Sequence, residues 1–121
     1  MFASLRFETA SWMNVRTLAL LAALLTTLPA FAQDAAVYTI VARNGKLEPA
    51  VIEVPAGKRF KLEVSNDGKT PIEFESKDLK QEKVVAPGAK ATFTINALKP
   101  GQYKFFDEFH EATAKGMIVV K

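Results

Sequence analysis

The chain has 121 residues, with 16 basic and 13 acidic side chains, a net charge of +3 and no cysteine. Without cysteine, disulfides, thiol catalysis and thiolate-bound metals are all excluded. The lysines are scattered along the sequence and form no basic stripe interleaved with aromatic residues, so we expect no nucleic acid among the partners.

The first 32 residues are typical of a secretory signal peptide. Arg16 precedes an apolar run at 18–28, and small residues at Ala30 and Ala32 follow it. The run is about 11 residues long, whereas a membrane-spanning helix needs about 20. We therefore expect cleavage after Ala32 and an exported chain that does not itself span a membrane. Met13 is an alternative start of translation.

Residues 33–121 are long enough for one small domain with a single core. Short runs of alternating hydrophobicity predict seven strands, which are separated by glycine- and proline-containing turns. The pattern predicts an all-β sandwich or barrel. We expect residues 76–83 to form a loop across one end of it. The predicted strands are 37–42, 51–54, 60–65, 71–75, 91–95, 103–106 and 117–120.

Potential metal ligands are concentrated between the last two predicted strands. Asp107, Glu108 and His110 follow one another closely there, and His110 is the only histidine of the chain. Carboxylates and an imidazole in one loop, held at both ends by strands, suggest a metal site. The alternative is a solvated acidic turn with an incidental histidine.

Three stretches carry a resemblance to a known family: LEPAVIEVPAGKRFKLEVSNDGKTPIEFE, VVAPGAKATFTINALKPGQYKFFDEFH and KGMIVV. They resemble a cupredoxin-like domain over nearly all of residues 33–121. The resemblance implies a Greek-key β-sandwich of seven to eight strands. It also implies a metal site at one end, with one ligand after the strand that ends near Asn66 and the others in the loop that follows 103–105.

The ligands of a blue-copper protein are largely missing from the positions that the resemblance implies. Where such proteins have Cys, His and Met in this loop, the sequence has Asp107, His110 and Ala114. The upstream histidine falls on Ile72 or, with a shift of one residue, on Glu73. Without the thiolate, a blue-copper electron carrier is excluded.

Carboxylates near the same positions indicate a site of harder ligands. Glu73 and Glu75 are two residues apart and share one side of their predicted strand, and we expect them to meet Asp107 and His110 in one site that also includes Glu108. Oxygen donors with one imidazole suit iron, manganese or type-2 copper(II), and zinc is less specific here. The alternative is that Glu73 and Glu75 form the polar face of an exposed strand.

With these ligands the chain resembles the small periplasmic component of bacterial ferrous-iron uptake systems. The resemblance implies a periplasmic protein that binds iron beside a membrane iron permease and other uptake components. It leaves open whether the protein is a ferroxidase, because a single metal cannot deliver four electrons to oxygen without an electron-accepting partner. The alternatives are a non-catalytic periplasmic chaperone for copper or iron, and a scaffold that has lost its site.

Overall fold

The computed structural model describes Pro29 and residues 34–121, which form one compact unit from Asp34 to Lys121. Apart from Pro29, the predicted signal peptide lies outside the described residues. The described residues contain no helix that is long and apolar enough to cross a membrane.

The described part of the chain consists almost entirely of strands, nine in number, with one short 3-10 helix at Glu108–His110. In chain order the strands are β1 Ala36–Arg43, β2 Lys46–Glu48, β3 Val51–Val54, β4 Phe60–Asn66, β5 Ile72–Ser76, β6 Gln81–Val85, β7 Lys90–Ile95, β8 Gly101–Asp107 and β9 Lys115–Val120. This confirms the all-β prediction and places all seven predicted strands.

The strands form two sheets, one with the order β2-β1-β4-β7 and the other with the order β3-β9-β8-β5-β6. β1 pairs with β4 and β3 pairs with β9 in parallel, and the other pairs are antiparallel. Aromatic side chains join the two sheets across the core. The ring of Phe74 on β5 lies 5.2 Å from that of Phe93 on β7 in the other sheet, and 5.6 Å from that of Phe105 on β8 in its own sheet.

Alternation along the strands explains which side chains fill this core. On β4, Phe60, Leu62 and Val64 are fully buried whereas Lys61 is exposed. Successive side chains of a strand point to opposite faces, so every second residue enters the sandwich. Burying each large apolar side chain stabilises the fold by about 2 kcal/mol.

The prediction of a loop over residues 76–83 is wrong. Lys77–Lys80 form a tight turn, and β6 continues from Gln81 to Val85 as the antiparallel partner of β5. β6 is an edge strand with three exposed residues in a row, Glu82 to Val84. Because both of its faces are largely solvated, it lacks the alternation by which the other strands are recognised.

Three loops meet at one end of the sandwich, which we call the loop end: the β1–β2 turn, the β4–β5 loop and the β8–β9 loop. Asp67 N–H donates to the Ala42 carbonyl at 2.9 Å, and Thr113 Oγ1 donates to the Gly45 carbonyl at 2.5 Å. Gly45 adopts a φ of +70°, which favours glycine. These contacts hold the three loops together around the residues described next.

Candidate metal site

Asp107 ends β8 with its side chain buried at the loop end, 1% exposed. Its Oδ1 accepts hydrogen bonds from the backbone N–H of Glu73 at 2.9 Å and of Phe109 at 3.0 Å. The Phe109 bond begins the 3-10 helix. Its Oδ2 lies 2.6 Å from Nδ1 of His110. The carboxylate is therefore fully engaged, which is what its burial requires.

His110 lies at the end of the 3-10 helix with 36% of its side chain exposed. In the neutral ring, a hydrogen bond to Asp107 Oδ2 makes Nδ1 the donor and leaves the lone pair on Nε2. Metal-binding histidines usually have this arrangement, with a carboxylate behind the nitrogen that does not bind the metal. The backbone around His110 is also held, since its carbonyl accepts from Ala114 N at 2.9 Å.

Four glutamates form a second group of acidic residues, which we call the glutamate cluster: Glu73 and Glu75 on the outer face of β5, Glu82 on β6, and Glu108 in the 3-10 helix after β8. Carboxylate oxygens of Glu73, Glu82 and Glu108 lie within 4.8 Å of one another. Glu75 and Glu82 are direct partners in the β5–β6 register, so their side chains share one face. Like charges placed so closely repel one another.

The repulsion and hydrogen bonding within the cluster raise two pKa values. A hydrogen bond with Glu82, together with desolvation and the nearby charges of Glu108, Glu82 and Glu75, raises the pKa of Glu73 to about 7. Desolvation and then a hydrogen bond with Glu108 raise the pKa of Glu75. Below about pH 7 the cluster therefore tends to hold a proton that a cation would compete with.

The structure divides the five predicted ligands into two groups. Asp107 and His110 are in contact at the loop end, whereas Glu73, Glu75 and Glu108 belong to the glutamate cluster. Asp107 pairs with buried Phe74, so it shares the inner face of the sheet, and Glu73 and Glu75 on either side of Phe74 point outward. The described residues thus fall into two groups rather than one, and metal binding at each place stays a prediction.

Glu82 is not among the metal ligands predicted from the sequence, because that prediction treats residues 76–83 as a loop, whereas Glu82 lies in β6. Two glutamates spaced i, i+2 before a short turn, with a third after it, are the signal that a hairpin would have brought them together. In the structure Glu75 and Glu82 are direct partners of the β5–β6 hairpin, and this pairing places Glu82 in the cluster.

The structure also decides which residue occupies the position of the upstream blue-copper histidine. Ile72 is the buried residue that points inward, and Glu73 contributes only its backbone N–H to Asp107. Ala114 is fully buried as well. With Ile72, Ala114 and Asp107 in place of nitrogen and sulfur donors, a blue-copper centre does not fit these residues.

A cavity of about 390 Å³ opens beside His110 and Asp107 at the loop end. Ile72 and residues of the three loops form the rest of its wall, among them the charged residues Arg43, Lys46, Asp67 and Lys69. Arg43 donates to Asp67 at 2.7 Å, and this hydrogen bond raises the pKa of Arg43. Asn66 shapes one wall, because its Nδ2 donates to the carbonyls of Thr70 and Val85 at 2.9 and 3.0 Å.

Residues 16–120 match the family model of the cupredoxin-like domain. The chain belongs to this family. A protein of Rickettsia prowazekii (strain Madrid E), named only as uncharacterized, is 40% identical over 81 residues, which cover 67% of this chain and 65% of that protein. This cupredoxin-like chain thus spans just under two thirds of the length of that relative.

Solved structures share the fold at low sequence identity. Auracyanin B superposes with a TM-score of 0.64 and 12% identity, covering 76% of this chain and 93% of that one. Auracyanin from Roseiflexus castenholzii gives 0.58 and 18%, covering 74% and 99%. A purple cupredoxin from Nitrosopumilus maritimus gives 0.51 and 21%, covering 73% and 100%. The cupredoxin-like sandwich inferred from the sequence is confirmed. A fold of this kind suggests a metal-binding or electron-transfer protein.

Proposed function

We propose that this cupredoxin-like protein is an exported, periplasmic metal-binding protein of ferrous-iron uptake. It binds iron as cargo at the loop end and passes it to a membrane iron permease that works with other periplasmic uptake components. The observation that carries the proposal is the contact between His110 and Asp107, 2.6 Å between Nδ1 and Oδ2. The contact holds the ring and leaves Nε2 as the nitrogen available to an ion in the loop that the family resemblance implies for metal.

The ligand chemistry supports a hard or borderline ion. His110 offers an imidazole nitrogen with the Asp107 carboxylate behind it, and the glutamate cluster offers carboxylate oxygens on the outer face of the same sheet. Oxygen and imidazole ligands suit iron, manganese and type-2 copper(II). Since the two groups lie on opposite faces, metal binding is tested at each of them separately.

Binding and delivery account for the described residues more simply than catalysis does. Oxidation of Fe²⁺ removes one electron per ion, and an acceptor for that electron has to be supplied by a partner. We therefore propose non-catalytic binding, and oxygen consumption during incubation with Fe²⁺ is the measurement that separates it from a ferroxidase. Rapid, protein-dependent oxygen uptake would contradict it.

The binding experiment is a calorimetric titration of metal-free protein with Fe²⁺ under anaerobic conditions, and with Cu²⁺ in air. The variants are His110→Ala, the double variant Glu73→Gln with Glu75→Gln, and Lys99→Ala at the other end of the sandwich as the control. We expect His110→Ala to weaken binding by at least ~10-fold and Lys99→Ala to leave it unchanged. If the parent binds no more tightly than about 1 mM, or if His110→Ala binds like the parent, the proposal fails.

The double variant Glu73→Gln with Glu75→Gln tests the other possible binding place, the glutamate cluster. If the double glutamate variant alone loses Fe²⁺, the cargo binds at the glutamate cluster and not at His110. That outcome would contradict the assignment to the loop end while leaving a metal-binding function.

Export is tested by the mass of the protein recovered from cells. The proposal expects a chain that begins at Gln33 and is released with the periplasmic fraction. An uncleaved chain fixed in the membrane would contradict it.

A further inference from the structure

The charges around the loop-end cavity differ in sign from those of the glutamate cluster. Three basic side chains, Arg43, Lys46 and Lys69, line the cavity together with two acidic ones, Asp67 and Asp107. The two carboxylates are already engaged. Asp67 is paired with Arg43 at 2.7 Å, and Asp107 accepts from two backbone N–H groups and contacts His110.

Three basic against two acidic side chains leave the cavity lining with one excess positive charge, and Lys46 and Lys69 are its basic groups outside the Arg43–Asp67 pair. Within residues 34–121 neither of them takes part in a salt bridge. They belong to different elements, since Lys46 begins β2 and Lys69 lies in the β4–β5 loop. The register places Lys46 directly opposite Arg43, so both of these side chains rise from the same face of the β1–β2 hairpin.

The cavity has room for more than a bare ion. Its volume is about 390 Å³, which is enough for several water molecules or a small organic molecule. A cavity with excess positive charge and room for a small organic molecule suits an anion with several carboxylates. Ammonium groups form charge-assisted hydrogen bonds with such oxygens.

We propose that the cavity binds a small hydroxycarboxylate anion of the citrate class, and that the cargo ion reaches His110 as its complex with this anion. The second half of the proposal rests on the function proposed above. The anion neutralises Lys46 and Lys69 and presents oxygen ligands to the ion, which compensates for the small number of protein ligands at His110. Without the anion, the two lysines disfavour a cation in the cavity.

The first experiment uses metal-free mature protein and measures calorimetric binding of citrate, inorganic phosphate and acetate at constant ionic strength. The test variant is Lys46→Gln with Lys69→Gln. Its matched control is Lys58→Gln with Lys99→Gln, which removes the same charge at the other end of the sandwich, where Gly57 N–H donates to the Leu98 carbonyl. We expect citrate to bind more tightly than about 1 mM. The test variant should lose at least ~10-fold in affinity and the control less than ~2-fold.

Three results would overturn the anion site: no citrate binding at about 10 mM, equal loss in the test and control variants, or phosphate binding as tightly as citrate. The last result would mean that the cavity takes small anions without preference for carboxylates. Thermal unfolding of both variants in the absence of anions shows whether each of them folds. If the test variant fails to fold, the single changes Lys46→Gln and Lys69→Gln replace it, and if the control fails to fold, Lys58→Gln and Lys99→Gln replace it.

The second experiment titrates Fe²⁺ anaerobically with and without equimolar citrate. We expect citrate to strengthen binding in the parent and not in the lysine variant, while His110→Ala keeps citrate binding and loses Fe²⁺. If Fe²⁺ binds through His110 but citrate leaves Fe²⁺ binding unchanged or weakens it, the ion does not bind as its citrate complex, and the proposed function stands. If citrate binds and Fe²⁺ does not, the proposed function is wrong and the anion site stands.

Discussion

The backbone of Glu73 is hydrogen-bonded to the side chain of Asp107, although the carboxylates of these two residues lie on opposite faces of the sheet. The N–H of Glu73 donates to Oδ1 of Asp107 at 2.9 Å across 34 positions of sequence. The Glu73 carboxylate meanwhile joins Glu82 and Glu108 outside. This one bond ties β5 to the start of the β8–β9 loop and so positions both groups of acidic residues.

Removing the Asp107 carboxylate should destabilise the fold. In Asp107→Ala the N–H groups of Glu73 and Phe109 lose their acceptor at a buried position. Leaving such donors unpaired costs about 1–3 kcal/mol each, so we expect the free energy of unfolding to fall by about 3 kcal/mol. Urea unfolding followed by circular dichroism measures it.

Asp78→Ala is the matched control for this change. Asp78 accepts one hydrogen bond, from Lys104 N at 2.8 Å, at an exposed position. Its loss should cost less than about 1 kcal/mol, because water replaces the bond. Equal destabilisation by the two substitutions would show that Asp107 does not hold the loop.

The glutamate cluster should make the metal-free protein less stable as pH rises. The pKa of Glu73 is raised from 4.5 to about 7 in the folded chain. The folded state therefore retains a proton that the unfolded state releases, and this stabilisation, complete below about pH 4.5, is lost as pH rises toward about 7. In Glu73→Gln this loss of stability with rising pH should be smaller. Thermal unfolding between pH 4 and 8, with a chelator present, measures it.

Glu53→Gln is a suitable comparison, since Glu53 lies in β3 and its exposed carboxylate contacts Lys121 at 3.0 Å. We expect this variant to keep the pH dependence of the parent. A Glu73→Gln protein with an unchanged pH profile would contradict the coupling within the cluster.

Copper(II) added to the protein should give no intense blue colour. The strong visible band of blue copper needs a thiolate ligand, and the chain has no cysteine. Absorption and paramagnetic resonance spectra should show a weak band and type-2 parameters. An intense visible band of the kind that a thiolate centre gives would refute the assignment of oxygen and imidazole ligands.

Gly116 should tolerate no side chain. A Cβ at this position would overlap the Ala50 carbonyl and the ring of Phe105. Gly116→Ala should therefore lower the unfolding free energy by more than about 2 kcal/mol through displacement of β9 or of the Phe105 ring. Thermal unfolding measures the loss.

Gly57→Ala separates this overlap from the general effect of replacing glycine. Gly57 has a φ of +73°, but a Cβ added to it would meet no atom within 4 Å, so only backbone strain of about 1 kcal/mol is expected. If Gly57→Ala is as destabilising as Gly116→Ala, close packing is not what requires Gly116.

Strong alternation made most of the sandwich predictable. β4 has apolar residues at every second position from Phe60 to Val64, and β7 has them from Ala91 to Ile95; a period of two identifies a half-buried strand. The same rule failed at β6, whose residues Glu82, Lys83 and Val84 are all exposed. An edge strand obtains its structure from hydrogen bonds with a neighbour, and a local pattern does not report those.

The amino-acid sequence by itself determined the residue types available for binding: no thiolate, a single imidazole, and carboxylates near the ends of two strands. Only the tertiary structure decided how these are combined. Glu82 meets Glu73 because β5 and β6 pair, and Asp107 turns away from Glu73 because it lies opposite Phe74. Pairing register sets the face on which each side chain lies, and a shift of one residue would exchange the two faces.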